Sequence, residues 1–138
     1  MILLDAYALV AFLVGGAAAG DVRSILRAGG GAVATANLAE ALDVSERVYG
    51  LPVRRASELL DPLFESALTE FPLDLVTARR AAELRARHYH RATCPISLAD
   101  AILIGSAGRD DLIATSDPDV LAVAEVESID SMRLPGQG

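Results

Sequence analysis

Residues 111–126 read DLIATSDPDVLAVAEV. A short apolar run, DLIAT (111–115), ends at the polar break Ser116–Asp117–Pro118–Asp119, and an apolar helical pattern follows. Aspartate before proline is an ordinary helix start, with the proline at the first helical position. The stretch is therefore strand, loop and helix, and its loop carries two carboxylates, Asp117 and Asp119, astride a proline. Whether other acids occupy comparable turns decides what the chain can do.

The same unit recurs. MILL (1–4) ends at Asp5 and leads into helical AYALVAFLVG (6–15). GGAAAGD (15–21) makes a turn before helical VRSILRAG (22–29). AVAT (32–35) precedes the amphipathic NLAEALDVSERVYG (37–50), and residues 52–68 read as more helix, interrupted at Pro62, whose ring clashes with the preceding turn. PLDLV (72–76) reads as the third strand and TARRAAELRARHYHR (77–91) as the helix after it. SLADAILIGSAG (97–108) is apolar nearly all round, the pattern of a buried helix. ESID (127–130) is a candidate edge strand, and the tail LPGQG (134–138) is expected to fray. Strand alternating with helix predicts an α/β fold: a three-layer α/β/α sandwich around a mostly parallel sheet of four or five strands. The 138 residues suit one domain over 1–138.

Composition narrows the function. The chain is 52% hydrophobic and 22% charged, enough for a sizeable core. Aromatic residues make up only 4%, without Trp, so Ala, Leu, Val and Ile must build that core. All 12 basic residues are Arg. A net charge of −7 has the wrong sign for gripping nucleic acid by bulk electrostatics, so any phosphate-handling function must neutralise its acids. The single cysteine, Cys94, excludes an internal disulfide and a Cys-rich zinc site. The apolar N-terminus lacks the basic residues of a signal peptide and is too short and Gly-rich to span a bilayer, which points to a soluble cytoplasmic protein.

In an open parallel sheet, ligands gather at the carboxyl ends of the strands. Asp5 is the first residue after strand one, and Asp117 and Asp119 follow strand four. Glu40 and Asp100 are placed in the first turns of the helices beginning near Asn37 and Ser97. Each acid alone also suits a helix N-terminus, and NLAE (37–40) and SLAD (97–100) both resemble capping boxes. Joint placement favours a site: carboxylates crowded into one cleft repel, and protonation or a cation relieves the cost. With oxygen ligands alone the cation should be hard, Mg²⁺ or Mn²⁺ before Zn²⁺, and it would in turn hold a phosphate.

Residues 79–91 hold five Arg and one Glu, net +4, leaving −11 for the rest. Arg80, Arg87 and Arg91, spaced by 7 and 4, fall on one helical stripe. The stripe is either a track for an RNA backbone or a solvated face on which Glu83 pairs with Arg79 and Arg87. Other motifs fail. The glycines of GGAAAGDV lack the Lys of a phosphate loop, His88 and His90 point to different sides of a helix, and Ser106 has no nucleophile elbow around it. Cys94, Tyr49 and Tyr89 read as packing residues.

Four stretches together, LLDAYALVAFL (3–13), TANLAEAL (35–42), PISLADAILIGSA (95–107) and ATSDPDVLAVA (114–124), resemble the PIN-domain ribonucleases, in particular the VapC toxins of bacterial toxin–antitoxin modules. The resemblance spans essentially the whole chain. It implies a Mg²⁺- or Mn²⁺-dependent endoribonuclease in which a metal-activated water attacks phosphorus in line, leaving a 5′-phosphate and a 3′-hydroxyl. The family's catalytic acids fall on Asp5, Glu40, Asp100 and Asp117. Asp5 and Asp100 would be central metal ligands, Glu40 would hold or orient the water, and Asp117 would complete the site, with Asp119 a further ligand or a helix-terminal charge. Thr115 matches a supporting polar residue two before the last acid. Tyr7 departs from the pattern of the family, many of whose members carry Ser, Thr or Asn there. The resemblance also implies a homodimer and a cognate VapB-type antitoxin, whose inserted Arg would satisfy the acids.

Two rival classes follow. A Mg²⁺-dependent phosphatase of the haloacid-dehalogenase type, or a phosphoacceptor receiver domain, also uses Asp pairs. The receiver wants a Lys and the phosphatase a basic partner, commonly Lys, and the phosphatase also wants DxD after strand one, where this chain has Asp5–Ala6–Tyr7. The non-enzymatic rival is a PIN-like binding module whose activity Tyr7 has removed.

Overall fold

Three of the strands are short runs buried on both faces, which is why they read as continuous apolar stretches rather than as alternating ones. In the first strand, β1 (Ile2–Leu4), Leu3 faces one helical layer and Leu4 the other. The next strand inward from the edge, β2 (Gly31–Ala34), divides Ala32 and Val33 in the same way, and β4 (Leu112–Thr115) divides Ile113 and Ala114. With the flanking strands β3 (Leu68–Phe71) and β5 (Asp130–Arg133) they form one five-stranded sheet. Its order is β3-β2-β1-β4-β5 and every pairing is parallel, with Leu3 opposite Ala32 on one side and Ile113 on the other. The computed structural model describes residues 1–136.

The helices are α1 (Ala6–Val14), α2 (Ala19–Arg27), α3 (Thr35–Arg47), α4 (Val53–Phe64), α5 (Leu75–His88), α6 (Leu98–Ser106) and α7 (Pro118–Val126). Apolar residues of α1 to α4 pack in one core cluster, with Leu9, Val22, Ala41 and Leu60 at its centre. Those of α5 to α7 build a second on the opposite face, around Leu84, Leu103, Ile104 and Val123. The result is the α/β/α sandwich expected from the sequence. Among the described residues, no single helix is long and apolar enough to cross a membrane.

Several expectations need correction. The third strand is Leu68–Phe71, not 72–76: Pro72 has no N–H for a ladder, and the Asp74 carboxylate caps α5 by accepting from Thr77 N at 2.8 Å. The misleading apolar run supplies exposed side chains instead, Leu73, Leu75 and Val76. Helix α4 is not interrupted at Pro62; it runs through and ends two residues later, so only the bond toward the Glu58 carbonyl is lost. The final strand is shifted, from 127–130 to 130–133. Leu134 of the tail is not frayed: it is 1% exposed and its N–H donates to Thr115 O. Gln137 and Gly138 lie outside the described residues.

Candidate functional site

The chain runs from β1 outward through β2 to β3, then returns past β1 to β4. The order therefore reverses between β1 and β4, the kind of switch point where loops diverge and leave a crevice. Asp5 follows β1 there, and Asp117 follows β4 by one intervening residue. A cavity of about 470 Å³ opens at this point, lined by Asp5, Ala6, Tyr7, Glu40, Asp100, Ser116, Asp117, Pro118 and Gly136. Four of the five acids singled out from the sequence line it, Asp5, Glu40, Asp100 and Asp117, and among the described residues no Arg does.

Asp5 is the deepest of them, 7% exposed. It caps α1, accepting from Ala8 N at 2.8 Å through Oδ1, while the Thr115 hydroxyl donates to Oδ2 at 2.5 Å. Burial pushes its pKa up from 3.8 to about 6; those two hydrogen bonds oppose the rise, and the charges of Asp100 and Asp117 add to it. Asp100 is the third residue of α6 and closes a capping box with Ser97, each backbone N–H donating to the other's side chain at 3.0 Å. Its pKa is also raised, by burial first and then by Asp117 and Asp119, against the Ser97 hydrogen bonds. Asp117 caps α7, accepting from Asp119 N at 2.8 Å, and its own N–H donates to Thr115 Oγ1 at 3.0 Å. One hydroxyl thus joins the backbone of one acid to the carboxylate of another.

Glu40 reaches the cavity by a different route from the one expected. Helix α3 begins at Thr35, so Glu40 sits in its second turn, and NLAE is not a capping box. Asn37, read as the cap, is instead a buried helical residue, 1% exposed, whose amide donates to Ala99 O at 3.3 Å. It ties α3 to the first turn of α6, beside Asp100, and its Oδ1 has no protein partner. The Glu40 pKa is raised by burial, with Asp100 and Asp43 adding to it. The signal that could have exposed Asn37 is its place three residues before Glu40, on one helical face amid apolar neighbours.

Other candidates fare differently. Asp119 does not line the cavity, though its charge bears on Asp100. Thr115 is fully buried behind Asp5. The arginine stripe does not form, because α5 stops at His88 and leaves Arg91 in a turn, where His90 Nδ1 accepts from Ala92 N and Thr93 N. Arg87 pairs with Glu127 rather than Glu83, at 2.7 Å, and Glu127 also takes His88 Nε2 at 2.6 Å. Arg80 is exposed. Tyr7 enters the cavity wall with its hydroxyl donating to Pro135 O at 2.7 Å, and burial, with the Asp5 charge, raises its pKa. Its partner stands 128 residues away, beyond any local signal.

Four carboxylates at a parallel-sheet switch point, Asp5 buried and the others half-buried, with no cationic side chain among the described lining residues, define an acidic site. The PIN-domain family model matches residues 2–126, and the chain belongs to that family. Solved structures share the fold at low sequence identity. A toxin–antitoxin complex from Klebsiella pneumoniae matches with a TM-score of 0.64 at 17% identity, over 88% of this chain and 91% of that one. DNA-bound VapBC from Salmonella typhimurium matches at 0.68 and 16%, over 96% of both chains. VapC20 of Mycobacterium tuberculosis, a toxin that cleaves the sarcin–ricin loop, matches at 0.62 and 16%, over 99% of this chain and 91% of that one. No curated protein sequence matches the chain.

Proposed function

We propose that the protein is a Mg²⁺- or Mn²⁺-dependent endoribonuclease, the toxin of a toxin–antitoxin pair. One observation carries the reading: Asp5, Glu40, Asp100 and Asp117 share a cavity, three of them with raised pKa values and, among the described lining residues, no cationic partner. Such a cluster is most stable when protonated or when a cation sits among it. Its donors are all carboxylate oxygens, which suit Mg²⁺ or Mn²⁺. Among the described residues no group of three such ligands closes on a single point, so water would complete the shell of any bound ion.

Asp5, Asp100 and Asp117 would hold the cation, at least one of them through an intervening water. When bound, it supplies charge neutralisation at the phosphate and an acidified water as nucleophile. The protein's own residues do the positioning. Thr115 fixes one Asp5 oxygen by its hydroxyl, and Ala8 N fixes the other. Ser97 holds one face of Asp100, and the α7 N-terminus orients Asp117. Glu40, half-buried at the cavity wall, is the base or water-orienting group.

Solved structures of this fold include toxin–antitoxin complexes and a toxin acting on the sarcin–ricin loop, which supports RNA as substrate and a VapB-type antitoxin as partner. A cavity lined by four acids and, among the described residues, no Arg would accept an antitoxin Arg as readily as a cation. We further propose a cytoplasmic homodimer. RNA contact through Arg80 is compatible with its exposure, whereas Arg87 is held by Glu127.

The product ends test the chemistry. Structured RNA cleaved by the purified protein in Mg²⁺ should carry 5′-phosphates and 3′-hydroxyls. Cyclic phosphate ends, formed by attack of the 2′-hydroxyl, would overturn the reading.

A further inference from the structure

The acid cavity lacks what usually binds a nucleotide. No basic side chain lines it among the described residues, and its carboxylates repel a phosphate except where a cation intervenes. Affinity for the rest of the nucleotide must then come from uncharged contacts. Among the described residues lining the cavity, Tyr7 is the only aromatic one.

Its setting is built. Part of the ring packs against the core cluster that includes Leu9 and Leu134. The hydroxyl donates to Pro135 O at 2.7 Å, so the polar end is occupied by the protein itself. The segment that accepts this bond is anchored in turn, with Leu134 buried and its N–H on Thr115 O at 2.9 Å. Gly136, the next residue after Pro135, joins Tyr7 in the cavity wall. With its hydroxyl occupied by Pro135, Tyr7 brings aromatic surface rather than a free hydroxyl to the cavity wall.

We propose that Tyr7 is a substrate-positioning residue whose ring stacks on an unpaired base next to the scissile phosphate, its orientation fixed by the hydrogen bond to Pro135. The inference rests on the ribonuclease reading and adds to it a preference for single-stranded RNA with an accessible base. Stacking on an aromatic side chain is sequence-tolerant, because every base has a π face. It acts on binding, so its loss should raise KM more than it lowers kcat.

The test compares a fluorescein-labelled, mixed-sequence oligoribonucleotide with a ribose-phosphate strand of equal length lacking bases. Binding is followed by anisotropy in Ca²⁺, with strand integrity checked on a gel. The wild-type protein should prefer the base-bearing strand by roughly ten-fold or more. Tyr7→Phe keeps the ring and should keep most of that preference. Tyr7→Leu keeps apolar volume without a π face and should lose it, with affinity for the baseless strand unchanged. A preference that survives in Tyr7→Leu, or no preference in the wild-type protein, overturns the proposal. So does a Tyr7→Ala variant that binds both strands more tightly, since Tyr7 would then block the cavity. Wild-type protein that neither binds nor cleaves RNA overturns the ribonuclease reading as well, whereas active protein with an unchanged preference in Tyr7→Leu overturns the stacking role alone.

Discussion

The Thr115 hydroxyl donates to the Asp5 carboxylate at 2.5 Å across 110 residues of sequence, and the same oxygen accepts from Asp117 N at 3.0 Å. It joins the ends of β1 and β4 where the sheet reverses its order. Thr115→Val removes both bonds while nearly conserving shape. Asp5 then loses a donor that holds its pKa down, so the acid limb of the cleavage profile should move to higher pH. Thr115→Ser should restore it. Profiles of kcat/KM that coincide in wild type and Thr115→Val would remove Thr115 from the account.

Asp5 should limit stability at neutral pH. Its folded pKa, about 6, lies above the ordinary 3.8, so the folded state holds this proton more tightly than the unfolded chain does. Below pH 3.8 the group has no effect; as pH rises toward 6 stability falls, and above that the full cost persists. Two pKa units correspond to on the order of 2–3 kcal/mol. Asp5→Asn should therefore raise urea-unfolding stability at pH 7.5 by roughly 2 kcal/mol and change it little at pH 4. The wild-type protein should gain stability from Mn²⁺ at pH 7.5, and the variant should not. A destabilised Asp5→Asn protein at pH 7.5 would show that Asp5 is a structural cap.

Asn37 should matter more to the site than to the fold. Its amide links α3 to Ala99, next to Asp100, but its Oδ1 is buried without a protein partner. A lost hydrogen bond costs about 1 kcal/mol, and relief of the unpaired oxygen offsets part of that. Asn37→Ala should thus cost less than about 1 kcal/mol while weakening Mn²⁺ binding several-fold, measured by calorimetry. A large stability loss with unchanged Mn²⁺ affinity would reduce Asn37 to a packing role.

Glu127 should be separable from activity. It caps α7 nine residues after Pro118, roughly 13 Å along the helix from the cavity end. Its contacts with His88 and Arg87 lower its pKa, but Arg87 is 54% exposed and the pair is screened. Glu127→Ala should cost under about 1 kcal/mol and leave RNA cleavage unchanged. A variant that folds normally but cleaves many-fold more slowly would return Arg87 to the substrate path.

Much of the site was legible because Asp5, Asp100 and Asp117 mark element boundaries, where caps and strand ends have local chemistry. Strands β1, β2 and β4 were legible because burial on both faces leaves continuous apolar runs. β3 was not: at the sheet edge, Thr69 and Glu70 face solvent and only Leu68 is buried, so the strand lacks the apolar signal and the run after it imitates one. Glu40 was found but misplaced by a turn, because Ala34 precedes α3 without a side-chain cap and Asn37 looked like one. The pairing of Tyr7 with Pro135, and of Asn37 with Ala99, depends on tertiary contacts between distant segments.

The most direct measurement is cleavage of a mixed structured-RNA substrate by wild type and Asp5→Asn, each in Mg²⁺, in Mn²⁺ and in EDTA. The account predicts cleavage by the wild-type protein in either metal, none in EDTA, and none by Asp5→Asn under any condition. Cleavage that survives both the chelator and the substitution would contradict it.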